Sequence, residues 1–408
     1  MNPRRLKYRA LAVALVVSSR LRKVSMTLGA FIVGLLVNAL SDPQSSDPAA
    51  ALHRVYDPGR PIGWLSVAAT GGAVLGVVAQ RPLARLAQQG SYAIRMVDHF
   101  SRMIDPEIRD LARGRVAWGT AVVIQGCPLL EEGWRNEQMT LHLEPHSYRL
   151  PEGERAAFAH WEASLPADSS LRRGTAYRLT TAPLAFTDDP DLRLSLQENR
   201  FVEVQYYRRV KAVDRRLAVA EVVSVLAGDI DFPHSFCLHA VVATSDGWVL
   251  LTRRSRAVIY HPDTWSVSLE EQFHRHDLRT AGEQAVQGWA ERMLREELGV
   301  PASTAADSQV RAFAVFLEAD ILNCSLVALV TLSVTRQQLD ALIAGHPRAD
   351  YEFQDWTFLQ WSDIVRELVT PTRTYHPTAG LRMLLAGGSK FGYYTFAARM
   401  DKLFLSNP

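Results

Sequence analysis

Two stretches of the sequence carry no charged side chain, and they restrict the fold of this chain more than any other feature. The first covers residues 24–40 and the second covers residues 61–80. As helices they would be about 26 and 30 Å long, and the hydrocarbon core of a bilayer is about 30 Å thick. We therefore predict a helical hairpin that crosses a membrane twice. A buried pair of soluble helices is the alternative, because the first stretch is short and contains Asn38.

The charges that flank the two stretches predict the orientation of this hairpin. Basic residues precede the first stretch (Arg4, Arg5, Lys7, Arg9, Arg20, Arg22 and Lys23) and follow the second (Arg81, Arg85 and Arg95). The loop between them balances its basic residues with Asp42, Asp47 and Asp57. Because positive charge is enriched on the cytoplasmic side, both termini are expected there. The expected localisation is the cell membrane, with two spans.

The length of 408 residues predicts two or three structural units. We place a membrane hairpin in residues 1–90, an α+β region in residues 91–231 and an α/β domain in residues 232–400. The composition, with 48% hydrophobic and 22% charged residues, is typical of folded chains. The net charge of +2 gives no reason to expect a nucleic-acid partner, and the sequence leaves the oligomeric state open.

The spacing of apolar residues predicts the elements of the last two regions. In the middle region we predict strands over residues 121–124, 139–143, 177–184 and 201–207, with a helix over residues 152–163. In the last region we predict strands over residues 238–244, 248–253, 265–272, 310–317, 326–333 and 353–359. The predicted helices there cover residues 282–298, 337–343 and 361–368, and Gly299 is suited to end the first of them.

Residues 291–300, ERMLREELGV, carry the pattern that bears most directly on function. This segment resembles the second half of the Nudix box, which reads Gly, five residues, Glu, seven residues, Arg, Glu, an aliphatic, any residue, Glu, Glu, any residue, Gly, an aliphatic. The matching positions are Arg292, Leu294, Glu296, Glu297, Gly299 and Val300. Met293 stands where the family has its first helical glutamate. Gly282 and Glu283 resemble the opening Gly-Glu pair, with eight residues instead of seven before Arg292.

The resemblance implies a Nudix-like mixed-sheet α/β/α sandwich that hydrolyses a diphosphate with Mg²⁺ or Mn²⁺. In the family the helix glutamates hold the metal and the box arginine orients them, roles that would fall to Glu296, Glu297 and Arg292. Such cations prefer oxygen ligands and polarise the phosphoryl group. Because Met293 has no carboxylate, we expect further metal ligands from Glu270, Glu271 and Glu283. Glu271 completes the expected catalytic set.

The expected function is therefore that of a membrane-anchored, Mg²⁺-dependent hydrolase of a nucleoside diphosphate derivative or a related diphosphate. A catalytically inactive module that senses a nucleotide or binds a partner at the membrane is the alternative, since Met293 replaces a family glutamate. A structural adaptor without a ligand is a third reading. The hydrolase requires that Glu270 or Glu271 lies within a few ångströms of Glu296 or Glu297.

Overall fold

The computed structural model describes residues 116–127, 131–180, 191–211, 213, 215–281, 284–347 and 352–406. The two predicted membrane spans, residues 24–40 and 61–80, lie outside these residues, as do Gly282 and Glu283. Among the described residues, no helix is both long enough and apolar enough to cross a bilayer. The hairpin therefore stays a prediction.

The strands of the described residues form two sheets. In chain order they are β1 (Ala117–Trp118), β2 (Ala121–Gly126), β3 (Met139–Leu143), β4 (Thr175–Leu179), β5 (Leu192–Arg200), β6 (Cys237–Ala243), β7 (Trp248–Arg254), β8 (Trp265–Ser266), β9 (Leu269–Gln272), β10 (Gln309–Glu318), β11 (Asn323–Thr331) and β12 (Phe353–Gln360). The larger sheet has the order β1-β2-β10-β11-β6-β7-β12, with β8 paired to β7 and β9 paired to β6. The smaller sheet has the order β3-β5-β4.

Helices connect and cover these strands. They are α1 (Glu152–Ser164), α2 (Phe201–Tyr206), α3 (Arg215–Ala227), α4 (Arg275–Ala281), α5 (Ala285–Leu298), α6 (Ala302–Ala306), α7 (Arg336–Ala344), α8 (Trp361–Val369), α9 (Ala379–Phe391) and α10 (Tyr393–Ser406). The larger sheet is mixed, because β6 and β11 run parallel while its other pairs are antiparallel. This mixed α/β architecture is compatible with the Nudix-like fold expected from the sequence.

Helix α5 owes its position to a stripe of apolar residues. Val286, Trp289, Ala290, Met293 and Leu294 follow one another at three- and four-residue spacing, which places them on one face of a helix. All five are buried in the core that contains strands β6 and β11. The helix ends at Gly299, whose φ of 66° is left-handed, as the sequence predicts. The polar face of α5 is thereby fixed with respect to the sheet.

The predicted boundary near residue 231 does not separate two sheets. Strand β2, from the predicted middle region, pairs with β10 from the predicted carboxy-terminal domain, with Val122 opposite Leu317. Every residue of β2 is buried. A strand that is buried on both faces requires a place inside a covered sheet, which explains why β2 joins the large sheet.

The prediction of a strand over residues 201–207 is wrong. Residues Phe201–Tyr206 form α2, and a π-helical turn, Tyr207–Lys211, follows it; the strand of this region is β5, immediately before. The side chain of Glu203 accepts a hydrogen bond from the backbone N–H of Arg200, which caps the start of the helix. Residues 202–206 are all buried, so their alternating polarity does not mark a solvent-facing side.

Two further predictions needed adjustment near the site. The strand predicted over residues 265–272 is interrupted between β8 and β9, and the helix predicted over residues 282–298 is α5 alone, preceded by the separate helix α4. The β6–β7 hairpin is confirmed, with Ala243 opposite Val249. Helices α9 and α10 have no counterpart in the sequence-based prediction. Helix α9 packs against β6 and β11.

Candidate functional site

Arg292 of helix α5 is the centre of a cluster of acidic side chains. Its Nη1 atom lies 2.7 Å from Oε1 of Glu271 on β9 and 3.3 Å from Oε2 of Glu296, one helical turn further on. Its Nη2 atom also donates to the backbone oxygen of Gln272 at 2.8 Å. Arg292 therefore joins helix α5 to strand β9 and contacts two of the predicted ligands.

Asp277 holds Arg292 from the opposite side. Its Oδ1 accepts from Arg292 Nε at 2.8 Å and its Oδ2 accepts from Arg292 Nη2 at 3.1 Å, a two-pronged contact of the kind guanidinium groups form best. The Asp277 side chain is only 1% exposed, and it also accepts the backbone N–H of His274 at 2.9 Å. Sequence analysis missed this residue. Its local signal is the spacing His274-x-x-Asp277, which is that of a helix start.

The carboxyls of Glu271 and Glu297 meet beside Arg292. The two carboxyls interact although one is on β9 and the other on α5. Burial, together with the nearby carboxyls of Glu352, Glu271 and Glu296, raises the pKa of Glu297 to about 9. Burial also raises the pKa of Glu271, although Arg292 opposes this. One predicted strand acid and one predicted helix acid are thus brought together, as the hydrolase requires.

Glu352, which immediately precedes β12, is the fifth acid of the cluster, and sequence analysis did not identify it. Its charge acts on both Glu271 and Glu297, and burial raises its own pKa. Its backbone oxygen accepts the N–H of Ser255 at 3.0 Å, which attaches it to the end of β7. No local pattern marks this glutamate, because only the pairing of β12 with β7 carries it to the cluster.

Glu296 and Met293 differ in their exposure. The Glu296 side chain is 44% exposed and reaches Arg292 as an i,i+4 pair. Met293 is 0% exposed and packs in the core with Trp289 and Leu294. Because successive residues of a helix are about 100° apart, the position after Arg292 faces the sheet here. A carboxylate at that position would be buried among apolar side chains.

Glu270 does not join this cluster. Its carboxylate pairs with Arg254 and Arg382 and accepts a hydrogen bond from the Ser266 hydroxyl at 3.0 Å. Consecutive residues of a strand face opposite sides of the sheet, so Glu270 and Glu271 point away from each other. Burial alone would raise the pKa of Glu270, but Arg254, His376 and Arg382 hold it well below its ordinary value. The other predicted ligand, Glu283, lies outside the described residues.

The acidic cluster fits a hard divalent cation by its chemistry. Within the described ranges, no three His, Cys, Asp or Glu side chains are already arranged to hold a metal ion. With its pKa raised to about 9, the Glu297 carboxyl instead keeps its proton at neutral pH. Burial raises the pKa values of Glu271, Glu297 and Glu352, so this region resists ionisation of its carboxyls. A cation with oxygen ligands would replace the proton and remove that resistance.

Comparisons with known proteins give little independent information. No protein-family model matches the chain, and no curated protein matches it. Among solved structures, the chain is similar to the protein DR0079 from Deinococcus radiodurans, with 18% identity, a TM-score of 0.26, and coverage of 37% of this chain and 80% of the other. It is also similar to Tm1382, which is provisionally classed as a Nudix hydrolase, with 12% identity, a TM-score of 0.25, and coverage of 38% and 71%.

A third similarity is to the MutT protein from Methanosarcina mazei Go1. The identity is 14% and the TM-score is 0.22, with coverage of 42% of this chain and 96% of the other. At these identities and TM-scores the similarities carry no argument about function. The case for a function therefore depends on the contacts of the chain's own residues.

Proposed function

We propose that this chain is a Mg²⁺- or Mn²⁺-dependent hydrolase of a nucleoside diphosphate derivative or a related diphosphate. The observation that supports it most is the approach of the Glu271 and Glu297 carboxyls to each other beside Arg292, whose Nη1 atom lies 2.7 Å from Glu271 Oε1. Ionising two neighbouring buried carboxyls costs free energy, and a divalent cation bound between them would offset that cost. Glu297 is a helix ligand expected from the Nudix resemblance, and Glu271 is one of the acids expected to compensate for Met293.

Each residue of the cluster would have its own role in such a reaction. Glu271, Glu296 and Glu297 would hold the cation, which when bound polarises a diphosphate oxygen and neutralises charge on it. Arg292 positions Glu271 and Glu296 through its Nη1 atom, and Asp277 fixes Arg292. Glu352, whose pKa is raised by burial, would be suited to accept a proton from an attacking water.

An inactive module that senses a nucleotide is the second candidate function. The burial of Met293 favours it, because one family carboxylate is replaced by a core side chain. In that case the cluster would bind a cation and a diphosphate without cleaving it. Binding without turnover separates this candidate from the hydrolase.

The test is a hydrolysis assay of the full chain against a panel of nucleoside diphosphate derivatives with Mg²⁺. Glu297→Gln keeps the shape of the side chain and removes its charge, so we expect a loss of turnover of at least about a hundredfold. Glu291→Gln is the matched control, since Glu291 is on the same helix and bonds to Gln287. Equal turnover by the parent and Glu297→Gln would refute the assignment.

We also propose that the hairpin of residues 1–90 holds the hydrolase at the cell membrane, with both termini in the cytoplasm. The absence of charge from residues 24–40 and 61–80 supports this placement. Extraction of membranes with alkaline carbonate tests it, because integral proteins remain in the pellet. Release of the full chain into the supernatant would contradict the two spans.

A further inference from the structure

Glu270 and Glu271 are consecutive residues of β9 and serve opposite faces of the large sheet. Glu271 pairs with Arg292 on the face of helix α5. Glu270 pairs with Arg382 of helix α9, on the other face. Any displacement of the strand at Glu270 moves Glu271 as well, since the two share a peptide bond. The contacts of Glu270 therefore affect the position of Glu271 in the candidate cation site, although the Glu270 side chain lies on the other face of the sheet.

Arg382 makes an unusually complete set of contacts with the strand that carries these acids. Its side chain is 0% exposed. Nη1 donates to the Ser266 hydroxyl at 2.8 Å and to the backbone oxygen of Val267 at 3.1 Å, and Nη2 donates to Glu270. One guanidinium thus holds β8, the turn that follows it and β9. A planar fork with several fixed donors can satisfy this geometry, whereas a lysine ammonium cannot.

The segment before α9 strengthens the same attachment. Nε and Nη2 of Arg382 both donate to the hydroxyl of Thr378, at 3.1 and 2.7 Å, which fixes the guanidinium from the residue that precedes its helix. Backbone hydrogen bonds join this segment to Trp265, because Trp265 donates to the oxygen of Thr374 and accepts from His376. Strands β8 and β9 are therefore held by the carboxy-terminal segment as well as by β6 and β7.

We propose that Arg382 is a positioning residue for the candidate cation site, acting through Glu270 on the location of Glu271. This inference rests on the proposed function. A buried and fully hydrogen-bonded ion pair adds little net stability but defines position. Partners outside the ligand shell that orient a metal ligand commonly change metal affinity by about 10- to 100-fold when they are removed. Arg382 acts one residue further away, through Glu270, so we expect an effect at the lower end of this range.

The test compares Arg382→Lys with the parent in the full chain. Lysine keeps the positive charge but lacks the planar guanidinium group with its several fixed donors. Near-UV circular dichroism first establishes that the variant is folded, and two measurements follow: hydrogen–deuterium exchange of the β8 and β9 amides, and Mn²⁺ affinity by electron paramagnetic resonance. We expect faster exchange at β9 and Mn²⁺ binding about tenfold weaker. Lys390→Met is the matched control, because Lys390 is an exposed cation of the same helix, and it should match the parent in both.

Ser266→Ala provides a milder second variant in case Arg382→Lys does not fold. It removes one hydrogen bond from Arg382 and one to Glu270 without leaving a buried charge unpaired. Its Mn²⁺ affinity should fall about threefold, with faster exchange at β9. A folded variant that binds Mn²⁺ as the parent does, or that binds it weakly with unchanged exchange at β9, overturns this inference alone. A parent chain that binds no Mn²⁺ overturns the proposed function and this inference together.

Discussion

The carboxyl of Glu271 on strand β9 lies close enough to the carboxyl of Glu297 on helix α5 to raise its pKa. Two neighbouring ionised carboxylates repel each other, so this proximity favours the form in which one of them keeps its proton. The raised pKa of Glu297, about 9, expresses the same fact. Near neutral pH the Glu297 carboxyl therefore keeps its proton.

This proton predicts how the stability of the metal-free chain depends on pH. The pKa of Glu297 is raised from 4.5 to about 9 on folding, so the folded state binds more protons than the unfolded state between these values. The free energy of unfolding should therefore fall as pH rises from about 5 to about 9, by at most about 1.4 kcal/mol per pH unit from this group. Urea denaturation at a series of pH values measures it.

Glu297→Gln removes the titrating group and should flatten this part of the stability profile. The variant should also be more stable than the parent at pH 8, because an amide needs no proton to remain neutral. Glu291→Gln, on the same helix, should leave the slope unchanged. A parent profile that is level between pH 5 and 9 would show that Glu297 is ionised throughout.

Replacing Arg292 with lysine should disturb both the fold and the cluster. Lysine cannot keep the two-pronged contact with Asp277 and the bond to Glu271 together. We expect a loss of about 1–3 kcal/mol in the free energy of unfolding and Mn²⁺ binding weakened by at least about tenfold. Thermal and urea denaturation measure the first quantity and titration calorimetry the second.

Arg295→Lys is the control for this change, since Arg295 is an exposed arginine of the same helix. It should remain within about 0.5 kcal/mol of the parent. If Arg292→Lys had equally little effect on metal binding, the salt bridges of Arg292 would be purely structural.

The sequence predicts the fold best where the pattern of apolar residues and the turn residues indicate the same element. The β6–β7 hairpin has buried runs on both sides of a turn at Gly247, whose φ is 87°, and α5 has a clear apolar stripe and a left-handed end. The prediction for residues 201–207 was wrong because the alternation of polar and apolar residues in this segment resembles that of a strand. In the structure residues 202–206 are all buried in a helix, so the alternation does not separate a buried face from an exposed face. The role of β2 in the large sheet also escaped, since long-range pairing has no local signal.

The site was predictable in part for the same reasons. Arg292, Glu296 and Glu297 follow from a local motif on one helix, and Glu271 follows from its position after the Trp265 strand. The sequence could not decide between Glu270 and Glu271. Consecutive residues of a strand face opposite sides of the sheet, but the sequence does not show which of the two faces helix α5. Asp277 and Glu352 come from other segments, and tertiary contacts alone bring them to Arg292 and Glu297.

Gly299 should tolerate no side chain. Its φ of 66° is strained for other residues, and an added Cβ would lie 2.9 Å from the ring of His346. We expect Gly299→Ala to lower the free energy of unfolding by about 1–3 kcal/mol, measured by urea denaturation. Gly345→Ala is the control, because that helix end has a φ of −87° and an added Cβ would stay at least 3.4 Å from its neighbours. Equal losses would contradict this account of the helix end.

The buried pair of His239 and Glu318 predicts a loss of stability in acid. The Nε2 and Oε1 atoms are 3.3 Å apart, and Glu318 also accepts from Asn323 and Ser325. Burial alone would raise the pKa of Glu318, but His239 lowers it from 4.5 to about 2. The stability due to this group is complete above about pH 4.5 and is lost as pH falls through about 2.

Glu318→Gln should therefore destabilise the chain at pH 7 by about 3–5 kcal/mol and weaken the acid dependence. Denaturation curves at pH 3 and pH 7 measure both effects. Glu132→Gln, at an exposed position, should change neither. An unchanged difference between the two pH values in Glu318→Gln would assign the acid sensitivity to other carboxylates.

The central claim is that carboxyl oxygens from β9 and α5 converge on one divalent cation. Mn²⁺ titration of the full chain, followed by electron paramagnetic resonance, tests it most directly. The account predicts one bound Mn²⁺ per chain, competed by Mg²⁺, with affinity reduced at least about tenfold in both Glu271→Gln and Glu297→Gln. A parent chain that binds no Mn²⁺, or two variants that bind it as tightly as the parent, would contradict the account.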